Sequence, residues 1–237
     1  MKNNKSSAFI LGLFIFLGLA TAGKLLASAA ISYREFERTV TVKGLAEKEY
    51  PADIVIWPIQ FTVANNDLAE LYSSIETSTD KISKYLEKNG IDSAEVSLSS
   101  PAITDKSAQS YNNSRPAEFR YTAIQIVTVY SRKIEQVRRV MAGLAQLGKQ
   151  GIVFSGGYET RPEYIFTRLN EVKPSMIEQA TTKAREVAIK FANDSKSRLG
   201  KIKRASQGQF SITGRDKNNP HIKRIRVVST VEYYLSD

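Results

Sequence analysis

The run Ala8 to Ala22, AFILGLFIFLGLATA, constrains everything that follows it. It carries no charge, it is dense in Leu, Ile and Phe, and Lys2 and Lys5 stand just before it. Fifteen residues in a helix cover about 22 Å, short of the roughly 30 Å hydrocarbon core of a bilayer. Two readings follow. In one, the run is a secretory signal peptide with a basic start and Ala27-Ser28-Ala29 as its small-x-small cleavage site. In the other, residues 8–31 form a signal-anchor behind a short cytoplasmic tail, 1–7, with Lys24 reaching up to the headgroups. A core helix of a soluble protein fits poorly, since nothing polar marks a second face. Both readings place residues 32–237 outside the cytoplasm, in the cell envelope, either anchored by one span or soluble in the periplasm.

That remaining stretch is long enough for one substantial core or two small ones. With 42% hydrophobic and 24% charged residues the whole chain is ordinary globular material. Cys is absent, so neither disulfides nor lipid attachment through Cys contribute, and the core must hold unaided. The net charge of +10 falls to +7 once Lys2, Lys5 and Lys24 are set aside. Outside the cytoplasm this speaks for solubility or a weak attraction to polyanions, and nucleic acid is not an expected partner.

Taken in order, a polar joint from Ser32 to Glu37 leads to a strand at Arg38–Gly44, rich in β-branched residues. Asp53 to Ala64 reads as a second strand whose apolar parity changes between Ile56 and Ile59, which predicts a bulge at Pro58. Trp57, the only Trp, is expected in the core. Asn65-Asn66-Asp67 caps a helix carrying Leu68, Leu71, Ile75, Ile82 and Leu86, interrupted by Ser78 and Thr79 and stopped at Asn89-Gly90. Ile91–Thr104 and Phe119–Ser131 read as a hairpin with a long exposed tip at Asp105–Pro116. In the second of these strands Tyr121, Ala123, Gln125, Val127 and Val129 share one face, and Ile124 and Ile126 the other.

Ser131 is expected to cap a helix with Ile134, Val137, Met141 and Leu144 on one face, ended by Gly148. Residues 151–157 and 158–167 read as extended segments with Pro162 between them. A long helix opens at Asn170 or Ser175, buries Ile177, Ala180, Ala184, Val187, Phe191 and Leu199, and stops at Gly200. Two closing strands, Ile202–Thr213 and Ile222–Leu235, flank a turn at Gly214–Pro220. The first and last strands are expected to be neighbours in one sheet, because domain termini lie close together. The expected class is α+β: a mixed or antiparallel sheet with hairpins and three packed helices, preceded by one N-terminal membrane helix.

Catalytic equipment is sparse. The single His, His221, follows Pro220 in a turn, so no His pair is available to hold a metal. No Gly-x-Ser-x-Gly, Walker or dinucleotide pattern occurs. The acid pairs Glu47 and Glu49, and Glu159 and Glu163, read as exposed strand-end carboxylates. Ser and Lys are both abundant, so composition leaves Ser-Lys chemistry open, but nothing in the sequence places such a pair in a pocket. Catalytic, cofactor-binding and metal-ligating residues are therefore not expected, and the chain names no small-molecule ligand. Aromatics gather around the hairpin (Tyr111, Phe119, Tyr121, Tyr130), the middle (Tyr158, Tyr164, Phe166) and the end (Tyr233, Tyr234), as core or as an interface rim.

Three runs, RTVTVKGLAEKEYPADIVIWPIQF, YIFTRLNEVKPSMIEQATTKAREVAIKFANDS and QGQFSITGRDKNNPHIKRIRVVSTVEYYL, together resemble the SIMPL-domain family of bacterial envelope proteins. The likeness covers about Arg38 to Leu235, and the segment before it resembles the membrane-anchored branch. What the resemblance implies is an α+β extracytoplasmic domain, ring assembly in some members and a link to stress tolerance, with no established catalytic residues. The signalling role behind the family's name is not carried over. The expectation is a non-enzymatic, self-associating envelope protein, a homo-oligomer. A second reading is a binding module for an anionic lipid headgroup or glycan, through Lys201, Lys203, Arg204, Arg215, Lys217, Lys223 and Arg224, which crowd the last two strands and their turn. A hydrolase of unrecognised type is the third.

Overall fold

A computed structural model describes residues 4–35, 38–109, 118–157 and 160–236. Tyr111, Tyr158, Glu159 and most of the expected hairpin tip lie outside the described residues. The order is α1 (Asn4–Glu35), β1 (Thr39–Pro51), β2 (Ile54–Asn65), α2 (Leu68–Lys88), β3 (Val96–Leu98), β4 (Ala102–Asp105), β5 (Tyr121–Ser131), α3 (Ile134–Gly143) and α4 (Ala145–Gly148). Then come β6 (Val153–Phe154), β7 (Glu163–Ile165), α5 (Leu169–Asp194), β8 (Arg198–Gln207), β9 (Ser211–Gly214) and β10 (Ile222–Ser236). The α+β class and the N-terminal apolar helix are as expected. The strands divide into two sheets where one was expected, and the chain into two compact units.

One unit comprises 1–47, 172–211 and 226–237. In α1 the stretch Ser7–Ala29 is apolar and fully exposed, and the helix continues through Ser32 to Glu35, where a polar joint was expected. Beyond it the sheet runs in the order β1-β10-β8, so the first and last strands are neighbours, as the closeness of termini predicts. The Leu235 N–H donates to the Arg38 carbonyl at 2.9 Å. Along β1, Val42, Gly44 and Ala46 are buried at every second position.

Val42 and Gly44 meet α5 on a stripe that keeps Ala180 and Ala184 of the expected one but not its larger residues. Met176, Ala180, Ala184, Ala188 and Ala192 are buried at four-residue steps, whereas Val187, Ile189 and Phe191 are exposed. Small residues let the helix approach the strand closely, so the Ala stripe prevails over the larger side chains. Gly200 does not end the helix. The chain turns at Lys196, whose φ of 54° is left-handed, and the Ser197 N–H returns to the Ala192 carbonyl at 2.8 Å. Gly200 and Leu199 belong to β8.

The other unit comprises 48–171 and 212–225. Its sheet runs β3-β5-β2-β6, with β4 also on β5 and β7 also on β2. The expected hairpin partners meet: Val96–Leu98 and Ala102–Asp105 both pair antiparallel with β5. The strand expected over Ile91–Thr104 is shorter, because Asp92 caps a 3-10 turn at Ser93–Glu95 and Pro101 separates β3 from β4. The first described turn of the loop beyond β4 is fixed by Arg120, whose guanidinium bonds Asp105 at 3.0 Å and holds that carboxyl down to about 2.

The bulge expected at Pro58 is absent. β2 and β5 pair without a slip from Val55↔Ser131 to Asn65↔Tyr121. Val55, Trp57, Ile59 and Phe61 take the buried face, and Ile56 the other. The apolar parity changes because both faces of the early strand are covered, not because the strand bends. Pro58 is tolerated for a different reason. The Gln60 carbonyl accepts the Ser155 N–H, so by alternation the Pro58 nitrogen also points to that flank. There it falls between β7, paired at 54–56, and β6, paired at 61–62, where no partner needs a donor.

On the buried face lie α2 and α3. The Asp67 carboxylate caps α2 by accepting the Ala69 and Glu70 N–H groups at 2.8 and 3.0 Å, and Gly90 at φ 79° lets the Ile91 N–H return to Leu86. Leu71, Ile75, Ile82 and Leu86 meet Trp57, Phe61, Val127, Val129, Val137 and Val140 in one core. Ser131 is not a helix cap. It ends β5, donates its hydroxyl to Glu95 at 2.7 Å and accepts the Lys133 N–H, while α3 starts without a capping side chain. The helix expected up to Gly148 is broken into α3 and α4 at Leu144.

Candidate functional site

His221 is the single His of the sequence, the side chain whose ordinary titration lies nearest neutral pH, and its surroundings decide whether it can act as a base. It follows a turn organised by Asp216, whose carboxylate accepts the Asn218 and Asn219 N–H groups at 2.9 and 2.8 Å and the Arg215 Nε at 2.9 Å. The Arg215 guanidinium holds that carboxyl down to about 2. The His221 carbonyl accepts the Ala52 N–H, and its ring meets Tyr164 edge-on at 5.9 Å. Together with Pro51, Ala52, Lys133, Glu135 and Gln136 it lines an open cavity of about 410 Å³.

Nδ1 of His221 is buried with no hydrogen-bond partner among the described residues, so none of their carboxylates orients the ring through that atom as a base. No Ser or Thr lines this cavity. Among the described residues no cluster of His, Asp and Glu is placed to hold a metal ion. Burial pushes the His221 imidazole below its usual range; Arg138 and Arg215 add to this, and Glu135 and Asp216 oppose it. The stability this implies is present above the ordinary value of 6.5 and is lost as pH falls through the lower folded value. The expected result is a melting temperature that drops between about pH 7 and 5, and drops less in His221→Gln. Equal slopes in the two proteins would show that His221 is not the group responsible.

The seven cations expected to form an anionic-ligand patch fall in different units. Lys201, Lys203 and Arg204 lie exposed on β8 in one. Arg215, Lys217, Lys223 and Arg224 lie around the β9–β10 turn in the other. Acids are interleaved with both groups. Lys203 pairs with Glu232 at 3.4 Å, Arg224 with Glu49 at 3.5 Å, and Arg215 with Asp216 and Glu49. Burial lowers the Lys223 ammonium, and Glu163 opposes that shift. Lys201 and Lys217 are exposed.

Glu49 thus has an ion-pair role, as a strand-end acid would. Trp57, Tyr164, Phe166 and Tyr233 are buried, while Tyr130 is about half exposed at 51%. A second cavity was not foreseen: Lys81 and four hydroxyl residues of α2 face Thr62 of β2 across a groove. Of the Ser78 and Thr79 that interrupt the apolar stripe, Ser78 lines this groove, whereas Thr79 donates its hydroxyl to Gln125.

The family model of SIMPL, proteins of unknown function (DUF541), matches residues 40–229. The chain belongs to the SIMPL family. Comparison with curated proteins gives no match. The SIMPL match opens inside β1 and closes inside β10, so it takes in every element from β2 to β9 and leaves α1 outside it.

Proposed function

We propose that this SIMPL protein is a non-enzymatic, self-associating module held at the outer side of a membrane by α1. The observation that carries the reading is the 23-residue stretch Ser7–Ala29, wholly exposed and with a mean hydropathy of 2.1. At about 1.5 Å per residue it covers roughly 34 Å, enough for the hydrocarbon core, with Lys24 near its outer end reaching up to the headgroups. Its polar side chains suit that medium. Thr21 donates its hydroxyl to the Leu17 and Gly18 carbonyls, and Ser28 to Leu25, so neither is left unsatisfied in lipid. Lys2 and Lys5 before the span favour a cytoplasmic N-terminus and a domain outside. Stress tolerance as the cellular context follows the family resemblance alone.

Support for self-association comes from faces that one chain leaves bare. Ile124 and Tyr130 are exposed on the outer face of β5, and β8, an outer strand, is exposed along nearly its whole length with Ile202 half open. A second copy would cover such surfaces. Light scattering of the full chain in detergent is expected to give a particle of several chains. A monomer at tens of micromolar would contradict self-association and leave the anionic-ligand reading ahead. That second reading is favoured by Lys201 and Lys217, and it expects binding to anionic vesicles that fades as salt rises.

A further inference from the structure

The run YSSIETSTDK of α2 places hydroxyls at Ser73, Ser74, Thr77 and Ser78. Ser73 with Thr77, and Ser74 with Ser78, are each four residues apart, so the four stack along one flank of the helix. Hydroxyl residues compete with the backbone for hydrogen bonds and are not what a helix interior favours. Here they face Thr62, Ala64 and the segment at Gly151 across an open groove of about 430 Å³. That volume lies within the roughly 300–1,000 Å³ of small-molecule sites.

Within the groove the polar groups are only partly engaged. Ser74 donates to the Glu70 carbonyl and Thr77 to the Ser73 carbonyl, which leaves both oxygens able to accept. The Thr62 hydroxyl shares a 2.8 Å bond with that of Ser155. Among the described residues the hydroxyls of Ser73 and Ser78 have no hydrogen-bond partner. Lys81 closes one end, its ammonium donating to the Gln150 carbonyl at 3.2 Å, with no acid among the lining residues.

We propose that this groove binds a hydroxyl-rich carboxylate of the sugar-acid class. A row of hydroxyls donates and accepts alike, which matches a ligand whose own hydroxyls do the same. One ammonium with no acid among the residues lining the groove matches one negative charge. No aromatic ring lines the groove to stack on a sugar face, so a neutral sugar lacks the strongest available contact. Ser78-Thr79-Asp80-Lys81 also has the Ser-x-x-Lys spacing of some acyl-transfer enzymes. Lys81, however, is exposed and acts as a hydrogen-bond donor to a carbonyl, so it does not serve Ser78 as a base, and the groove binds without cleaving. The inference depends neither on the membrane tether nor on the cations of β8 and the β9–β10 turn.

The test is titration of the full chain in detergent with glucuronate, with glucose and acetate as controls, followed by amide NMR shifts. Glucuronate is expected to saturate in the millimolar range, with shifts at Thr62, Ser78 and Lys81, and each control to bind at least about ten-fold more weakly. Lys81→Gln is expected to weaken glucuronate at least about ten-fold, and Lys81→Arg to restore most of the affinity. Both changes are at an exposed position, and an unchanged melting temperature verifies the fold. No saturation at about 50 mM, an unchanged affinity in Lys81→Gln, or shifts confined to another region would each overturn the proposal.

Discussion

A chain ending at Thr230 is expected to lose the fold of the unit that holds α5. β10 is the middle strand of β1-β10-β8, and the deletion removes its pairs Val231↔Ala205, Glu232↔Arg204 and Tyr233↔Ile202 together with the Leu235 bond to Arg38. Two flanking strands are left with facing rows of unpaired backbone groups. Val231 and Tyr233 are 1% and 3% exposed and pack with Val42, Ala184 and Ala188 in a small core. Each such side chain contributes about 1.5–3 kcal/mol by burial, against a total stability of about 5–15 kcal/mol for a typical domain. Amide exchange reads the outcome: in the truncated protein the α5 amides should exchange without protection. Protection equal to that of the full chain would show that α5 does not depend on β10.

Gly44→Ala is expected to cost about 3 kcal/mol or more, a fall in melting temperature of roughly 6–12 °C. A Cβ at Gly44 would overlap the Ala180 carbonyl oxygen and the Ala184 amide nitrogen. Those two groups are four apart in α5, the spacing of a helical hydrogen bond, so the methyl would push on helix backbone instead of a movable side chain. Gly44 has no left-handed φ, so Ala costs nothing through its own conformation, and in a strand it would otherwise be preferred to Gly. The loss therefore measures the strand–helix approach alone. A melting temperature within about 2 °C of the parent would mean that β1 does not lie on α5 at this point.

Features set by local periodicity were legible in the sequence. The alternation of β5 and the Asp67 cap and Gly90 stop of α2 depend on residues close together in the chain, and the burial of Trp57 follows from its size and apolar surface. The neighbouring of β1 and β10 followed from a general property of domain termini. Where the reading failed, a distant partner decided. Residues 177, 187 and 191 are more hydrophobic than the Ala stripe, yet the close approach of Gly44 leaves room only for small side chains on α5 there. Pro58 signals a bulge only if every N–H of β2 needs a partner, and the gap between β6 and β7 removes that need. The groove at Lys81 was hidden in the same way, because the hydroxyls of α2 gain meaning only once β2 stands opposite them.

The tether is tested most directly by the intact mass and fractionation of the protein purified from its native cells. The account predicts a chain that retains Ser7–Ala29, sediments with membranes and is released by detergent but not by high salt. A mature N-terminus at Ala30, with the protein in the soluble periplasmic fraction, would contradict it.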